Sequence, residues 1–248
     1  MSSFSNTKAL PEHVAIIMDG NNRWASKDNK PNLAGHAAGV QSLRSVIKHG
    51  RNIGLKHLSV FAFSSENWKR PESEVDGLMR LFRQALLKET PKLLSANIRL
   101  TIVGDRSVFP SDLNQAMIGA EEITSGCNGM FLNICANYGG KWDIIVAARK
   151  IAVSAVCGDL KVDSIDETVF EENLSLSGQP PVDCLVRTGG EKRISNFLLW
   201  QLAYAEFVFS DVLWPDYNGG AFQESLEEFS SRERRFGMKS EQIQGIAC

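Results

Sequence analysis

Several short stretches of this chain gather the residue types that phosphate chemistry needs. They are Asp19-Gly20-Asn21-Asn22-Arg23-Trp24, Ser64-Ser65-Glu66-Asn67-Trp68-Lys69-Arg70, Gly104-Asp105, Asn137-Tyr138-Gly139-Gly140, Arg187-Thr188-Gly189-Gly190-Glu191-Lys192-Arg193-Ile194-Ser195 and Ser210-Asp211. Glycine-rich turns let backbone N–H groups approach oxyanions. Arg23, Arg70, Arg187 and Arg193 supply planar forks that match phosphate oxygens. Asp19 is a lone carboxylate among them, the kind of group that holds Mg²⁺ together with substrate phosphates. Several arginines with one or two acids point to phosphorylated substrates, diphosphates above all.

The common phosphate and hydrolase signatures do not match. The chain has no G-x-x-x-x-G-K-[ST], no G-x-G-x-x-G after its first apolar run, no G-x-S-x-G and no H-E-x-x-H. It also has no D-D-x-x-D. Taken singly, each stretch has a plain structural reading. An Asp-Gly is most often a turn, Trp24 and Trp68 could simply pack, and His36 could open a helix. Arg232-Glu233-Arg234-Arg235 reads as a solvated helix face. Their combined weight depends on whether the fold brings them together.

The elements that would position them are legible. Each stretch follows a short apolar run rich in β-branched or aromatic residues: Val14–Met18, Leu58–Phe63, Ile98–Val103, Phe131–Ala136, Cys184–Val186 and Phe207–Phe209. The runs are continuous rather than alternating, as in strands covered on both faces. Helical patterns lie between them at Ala37–Ile53, Val75–Ala96, Pro110–Ser125, Asp143–Val156, Asp166–Leu174, Ile194–Ala205 and Phe222–Phe236. Pro91 predicts a kink or an early end in the second of these. Strand and helix alternate without a linker, so the expectation is one α/β domain around a mostly parallel sheet. It should span 12–237, with tails at 1–11 and 238–248. In such sheets ligands bind beyond the carboxyl ends of the strands. That topology would converge the arginines and Asp19 on one edge.

Composition narrows the partners. Of 248 residues, 43% are hydrophobic and 23% charged, and the formal charge is -2. That balance disfavours bulk nucleic-acid binding. The five cysteines are odd in number and lack C-x-x-C spacing, so they read as reduced thiols of a cytoplasmic protein. The opening residues show no apolar leader. The most apolar long stretch, Phe197–Trp214, is interrupted by Gln201, Glu206, Ser210 and Asp211. A buried helix followed by a buried strand is its expected form, and contact with a membrane surface stays open.

At this point the chain resembles a known family. The segments H-V-A-I-I-M-D-G-N-x-R-W-A at 13–25, G-H-x-x-G at 35–39, F-S-S-E-N-W-x-R-P at 63–71, N-Y-G-G-x-W-D at 137–143, R-T-G-G-E-x-R-I-S-N-F-L-L-W-Q at 187–201 and D-V-L-W-P-D at 211–216 are similar to the cis-prenyltransferases. The bacterial undecaprenyl diphosphate synthases are the nearest group. The resemblance runs over roughly 13–237. It implies a six-stranded, mostly parallel sheet with surrounding helices, an apolar product tunnel and a homodimer. It implies sequential cis-condensation of isopentenyl diphosphate onto farnesyl diphosphate, with Mg²⁺, to make a cell-wall lipid carrier. A different product length, or a non-catalytic subunit of the same fold, is the alternative.

The resemblance also implies roles. Asp19 would be the essential acid at the metal and the diphosphates, and Asn67 a candidate proton acceptor. Gly20, Asn21, Asn22, Arg23, Trp24, Asn32, His36, Ser64, Ser65, Glu66, Trp68 and Arg70 would serve the allylic diphosphate. Arg187, Arg193, Ile194 and Ser195 would bind isopentenyl diphosphate. Glu206 would be a second metal ligand, Met130 a candidate for the tunnel bottom, and Arg235-Phe236-Gly237 a reach toward the partner subunit. Three positions depart from the bacterial pattern: Asn22 stands where glycine is common, Asn32 where arginine often stands, and Lys192 where histidine can assist at the metal. A lysine ammonium has no lone pair to offer a metal.

Overall fold

The computed structural model describes residues 10–232. The Arg235-Phe236-Gly237 motif, most of the expected N-terminal tail and the whole C-terminal tail lie outside them. Six strands form one sheet among the described residues: β1 His13–Ile17, β2 His57–Ser64, β3 Ile98–Val103, β4 Met130–Tyr138, β5 Cys184–Arg187 and β6 Glu206–Phe209. Their order is β3-β4-β2-β1-β5-β6 and every pair is parallel. From β1 the chain moves to β2 on one side, whereas from β1's other neighbour, β5, it moves to β6 on the opposite side, so the connections diverge at β1/β5. A crevice opens at such a switch point, beyond the strands' carboxyl ends. Asp19 follows β1 there and Arg187 ends β5, while the segment 65–70 follows β2 on the other side of β1.

The continuous apolar runs are explained by burial on two faces. Val14 and Ile16 of β1 point into one core, with Leu58 and Val60 of β2 and Leu132 and Ile134 of β4. Helices α2 (Asn32–Ile53), α3 (Glu72–Ser95), α4 (Ser111–Thr124) and α7 (Gly219–Ser231) contribute to that core. Ala15 and Ile17 point the other way, into a smaller core with Tyr138, Phe197 and Leu198. Trp142, on α5 (Gly140–Cys157), packs against it. Two further short helices, α1 (Asn21–Lys27) and α6 (Glu167–Glu172), complete the set. No helix among the described residues is long and apolar enough to cross a membrane.

Three expectations are corrected. Ile194–Ala205 is not a helix. Ser195, Asn196 and Leu198 have φ of 49°, 62° and 41°, which a right-handed helix cannot use. The segment has other work: Phe197 stacks on Phe61 at 4.4 Å, and the Asn196 side chain and carbonyl accept from the first backbone N–H groups of α5. Those tertiary contacts outweigh the apolar periodicity. Pro91 does not end α3, which runs on to Ser95. Leu87, whose carbonyl loses its helical partner to the proline, is 56% exposed, so water can serve that oxygen. Met130 is fully packed in the larger core and does not line the cavity described below.

One buried network makes the fold acid-sensitive. His13 is wholly buried. Its Nδ1 meets the Pro180 carbonyl at 2.8 Å and its Nε2 meets Ser59 Oγ at 2.7 Å. Burial, helped by the nearby His57, lowers its pKa to about 4. The folded state therefore resists a proton that the unfolded chain accepts near 6.5. Stability should be intact above about pH 6.5 and fall as pH drops toward 4, by roughly 3 kcal/mol from His13 alone. Thermal melts across that window test this. A melting temperature that stayed flat or rose on acidification would refute it.

Candidate active site

Asp19 is the hub at the sheet's carboxyl edge. Its Oδ2 accepts from Arg187 Nη2 at 2.8 Å, and its Oδ1 from Arg23 Nη2 at 3.2 Å. Arg187 is the last residue of β5 and pairs with Ile17 of β1, so parallel register sets it two residues from Asp19. Its side chain is only 4% exposed, whereas that of Asp19 is 27% exposed. Arg187 Nη1 also donates to the Arg193 carbonyl at 2.5 Å and to Ser195 Oγ at 2.7 Å. Its buried Nε has no partner among the described residues. A buried guanidinium fixed from three sides is a rigid, pre-oriented cation.

Thr188 and Gly189 lock the same corner. Thr188 Oγ1 donates to the Asp19 carbonyl at 2.8 Å and accepts from the Asp19 N–H at 3.0 Å. Arg23 Nη1 donates to the Gly189 carbonyl at 2.7 Å. Gly189 has φ 82°, and a Cβ there would lie 2.5 Å from Arg23 Nη2. Only glycine lets the Arg23 fork lie against this turn. Arg193, more exposed, pairs with Glu191 at 2.5 Å. Ile194 packs on the smaller core behind it.

The segment after β2 forms a 3₁₀ turn over Ser65–Lys69. Asn67 Oδ1 accepts from the Ser64 backbone N–H at 2.9 Å, and the Ser64 side chain accepts in return. The amide oxygen, the more basic atom of the side chain, is thus turned into the loop. Trp68 Nε1 donates to Asn137 Oδ1 at 2.8 Å, tying the turn to β4. Glu66 receives Asn196 Nδ2 at 3.3 Å, tying it to the loop after β5.

A second polar string links α1, α2 and α3. His36 Nε2 meets Asn22 Oδ1 at 3.0 Å. Asn22 also hydrogen-bonds Glu74, which takes Asn32 Nδ2 at 3.2 Å and Arg70 Nη1 at 2.9 Å. Burial works against ionised Glu74, but Asn32, Arg70 and Asn22 outweigh it and hold its carboxyl below the usual range. His36 is lowered to about 4 by burial and by Arg70, against the pull of Glu74. It is neutral near pH 7 and offers a hydrogen bond rather than a charge. Two of the unusual residues, Asn22 and Asn32, therefore share one carboxylate partner. Glu74 carries no sequence signal because it lies past the motif, in the first turn of α3.

Trp24 and Asn21 sit at the margin. Trp24 Nε1 donates to Asp216 Oδ1 at 2.7 Å, and Lys30 Nζ lies 4.8 Å from its ring centre. Asn21 Nδ2 donates to the Met18 carbonyl, while its buried Oδ1 has no hydrogen-bond partner among the described residues. Ser65 borders Gly139.

Glu206 does not join this site. It opens β6 and pairs with Cys184, at the amino end of the sheet, three residues before the level of Phe209 and Arg187. That is roughly 10 Å along the strand. Its carboxylate binds Arg232 at 3.0 Å. Within one chain it cannot share an ion with Asp19. Nor does any group of three or more His, Cys, Asp or Glu side chains among the described residues form a metal cage. The described residues therefore offer one carboxylate, Asp19, a donor set that would suit a hard divalent cation completed by water and substrate oxygens.

Below this polar edge lies a cavity of about 490 Å³ between the sheet and helices α2 and α3. Met18, Asn21 and His36 stand at its head. Leu43, Phe82 and Leu132 are among the residues that make it apolar. Its size is that of a site for an organic ligand.

The chain is similar to known proteins over nearly its whole length. The family model described as "Putative undecaprenyl diphosphate synthase" matches residues 17–237. A ditrans,polycis-undecaprenyl-diphosphate synthase ((2E,6E)-farnesyl-diphosphate specific) of Pseudomonas putida is 51% identical over 96% of this chain and 95% of its own length. The Aliivibrio fischeri protein of the same description is 48% identical over 99% and 95%. Among solved structures, lavandulyl diphosphate synthase from Lavandula x intermedia, in complex with dimethylallyl diphosphate, superposes with a TM-score of 0.90 at 37% identity. It covers 92% of this chain and 98% of its own.

Proposed function

The chain belongs to the undecaprenyl diphosphate synthase family, and from that premise we propose that it is the farnesyl-diphosphate-specific enzyme that adds isopentenyl diphosphate units in cis to build undecaprenyl diphosphate. It is a prenyltransferase. One observation carries the assignment of roles: an acid and a buried arginine, Asp19 and Arg187, paired next to Met18 and Asn21, which line the head of an apolar cavity.

The reaction joins two diphosphates. The allylic carbon–oxygen bond breaks and its electrons leave on diphosphate. The isopentenyl double bond attacks the allylic carbon, and the condensed product loses a proton. In our reading Arg23, Gly20, Asn21 and Asn22 cradle the allylic diphosphate, with His36 and Arg70 beside it. Ser64, Ser65, Glu66 and Trp68 cover the reacting ends. Arg187, Arg193 and Ser195 hold isopentenyl diphosphate. Fixed donors of this kind stabilise the charge that develops on the leaving group. Mg²⁺, held by Asp19 and diphosphate oxygens, supplies further charge neutralisation when bound. Asn67 positions the 64–69 turn through its backbone hydrogen bond, which favours a diphosphate oxygen over its amide as the proton acceptor. The growing chain enters the cavity, where burial contributes about 0.8 kcal/mol per CH₂. A homodimer belongs to the same proposal, with the resemblance as its support.

The test is the mass of the product made from farnesyl and isopentenyl diphosphates with Mg²⁺. An undecaprenyl chain is expected. A folded protein inert under these conditions, or one giving a different chain length, would overturn the reading.

A further inference from the structure

The cavity has a charged rim that the reaction does not use. Helix α2 has 22 residues and not one acid; its charges are Arg44, Lys48 and Arg51. They stand at i, i+4 and i+7, on one face, and all three line the cavity. Like charges at this spacing repel and weaken a helix. Across the opening, α3 sets Lys92 on the same rim, with Lys88 one turn before it. Glu89 is the one acid in the lining, and it is shared by Arg44 and Lys92. Lys48, Arg51 and Lys88 are exposed, and no ion pair engages them among the described residues. The whole chain carries -2, so this surface runs against the average.

We propose that the rim formed by Arg44, Lys48, Arg51 and Lys92 docks on an anionic phospholipid surface and delivers the hydrocarbon chain from the cavity into it. The inference rests on the polyprenyl reading of the site. One feature selects a lipid over another polyanion: the cations on α2 and α3 border an apolar cavity, which suits headgroups and hydrocarbon in one contact. The Arg44–Glu89 pair spans the gap between α2 and α3, and a phosphate headgroup could take the place of Glu89 on Arg44.

Flotation of the full chain, without substrate, on phosphatidylcholine vesicles with and without phosphatidylglycerol tests this. The protein should float with the phosphatidylglycerol vesicles only, less as salt rises. Lys48→Glu/Arg51→Glu/Lys92→Glu should lower the bound fraction at least tenfold, and Lys48→Glu alone should lower it measurably. Lys141→Glu/Arg149→Glu/Lys161→Glu, an equal charge change elsewhere, should bind as the parent does. No flotation, equal flotation of the rim variants, or equal loss in the distant variant would each overturn the proposal. Binding is read without turnover, so its failure is separable from a failure of the product assay.

Discussion

Asp19→Asn should lower kcat by roughly 10²–10³-fold and leave the protein folded with its diphosphate affinity largely kept. Asparagine keeps an oxygen for Arg187 Nη2, which now sits 2.8 Å from Asp19 Oδ2. What it removes is the charge that would hold Mg²⁺. Without that charge, Arg23 and Arg187 face an incoming diphosphate with less competition, so KM should not rise with the loss of rate. Asp19→Ala should lose at least as much activity and also some stability, because Arg187 is nearly buried and would lose an ion partner. Breaking a fully buried pair costs about 3–5 kcal/mol. Here the carboxylate is partly solvated and Arg187 keeps Ser195 and the Arg193 carbonyl, so the cost should fall below that range. The two variants together separate charge from packing. Turnover of Asp19→Asn within a few-fold of the parent would refute the role given to Asp19, as would an unchanged Mg²⁺ dependence of its residual rate.

The sheet was the most legible part of the chain. All six strands were expected within one or two residues, because a strand buried on both faces must be apolar throughout, and β-branched runs between polar turns have few other uses. Convergence of Asp19, Arg23, Arg187 and Arg193 followed from the topology alone. Two kinds of feature escaped. Residues 194–205 have helical periodicity, but their backbone is set by distant partners, Arg187, α5 and Phe61, which no local pattern encodes. Glu206, a second metal ligand by the resemblance alone, opens β6 instead of following it. Its motif position resembled a ligand, yet parallel register puts it at the opposite end. Glu74 shows the converse: it carries no motif, and only folding brings Asn22, Asn32 and Arg70 onto its carboxylate.

Gly35→Ala should be among the most damaging single-methyl changes available in this chain, and the reason explains the G-H-x-x-G motif. A Cβ at Gly35 would lie 2.0 Å from the Asn21 carbonyl oxygen and 2.8 Å from its carbon. Both are backbone atoms and cannot rotate away. One turn on, a Cβ at Gly39 would meet Asn21 Oδ1 at 2.6 Å and the Trp214 ring at 2.7 Å. The two glycines thus form the groove in which α1 crosses α2. Alanine gains at most about 1 kcal/mol of helix propensity at Gly35. Overpacking typically costs about 1–3 kcal/mol, and more where backbone must move, so the clash wins. The displaced part would be α1, which follows Asp19 directly and carries Arg23 to the Gly189 carbonyl. A shift of roughly 1 Å in such groups can cost about 10²-fold in rate. The expected result is a lowered melting temperature and a kcat loss larger than the stability loss alone accounts for at a temperature where the variant remains folded. Gly119→Ala is the matched control. Gly119 lies inside α4 with no atom within 4 Å of its added Cβ, so propensity acts unopposed and the variant should gain about 0.5–1 kcal/mol. Equal behaviour of the two alanines would mean that glycine at 35 is not required by the α1–α2 crossing.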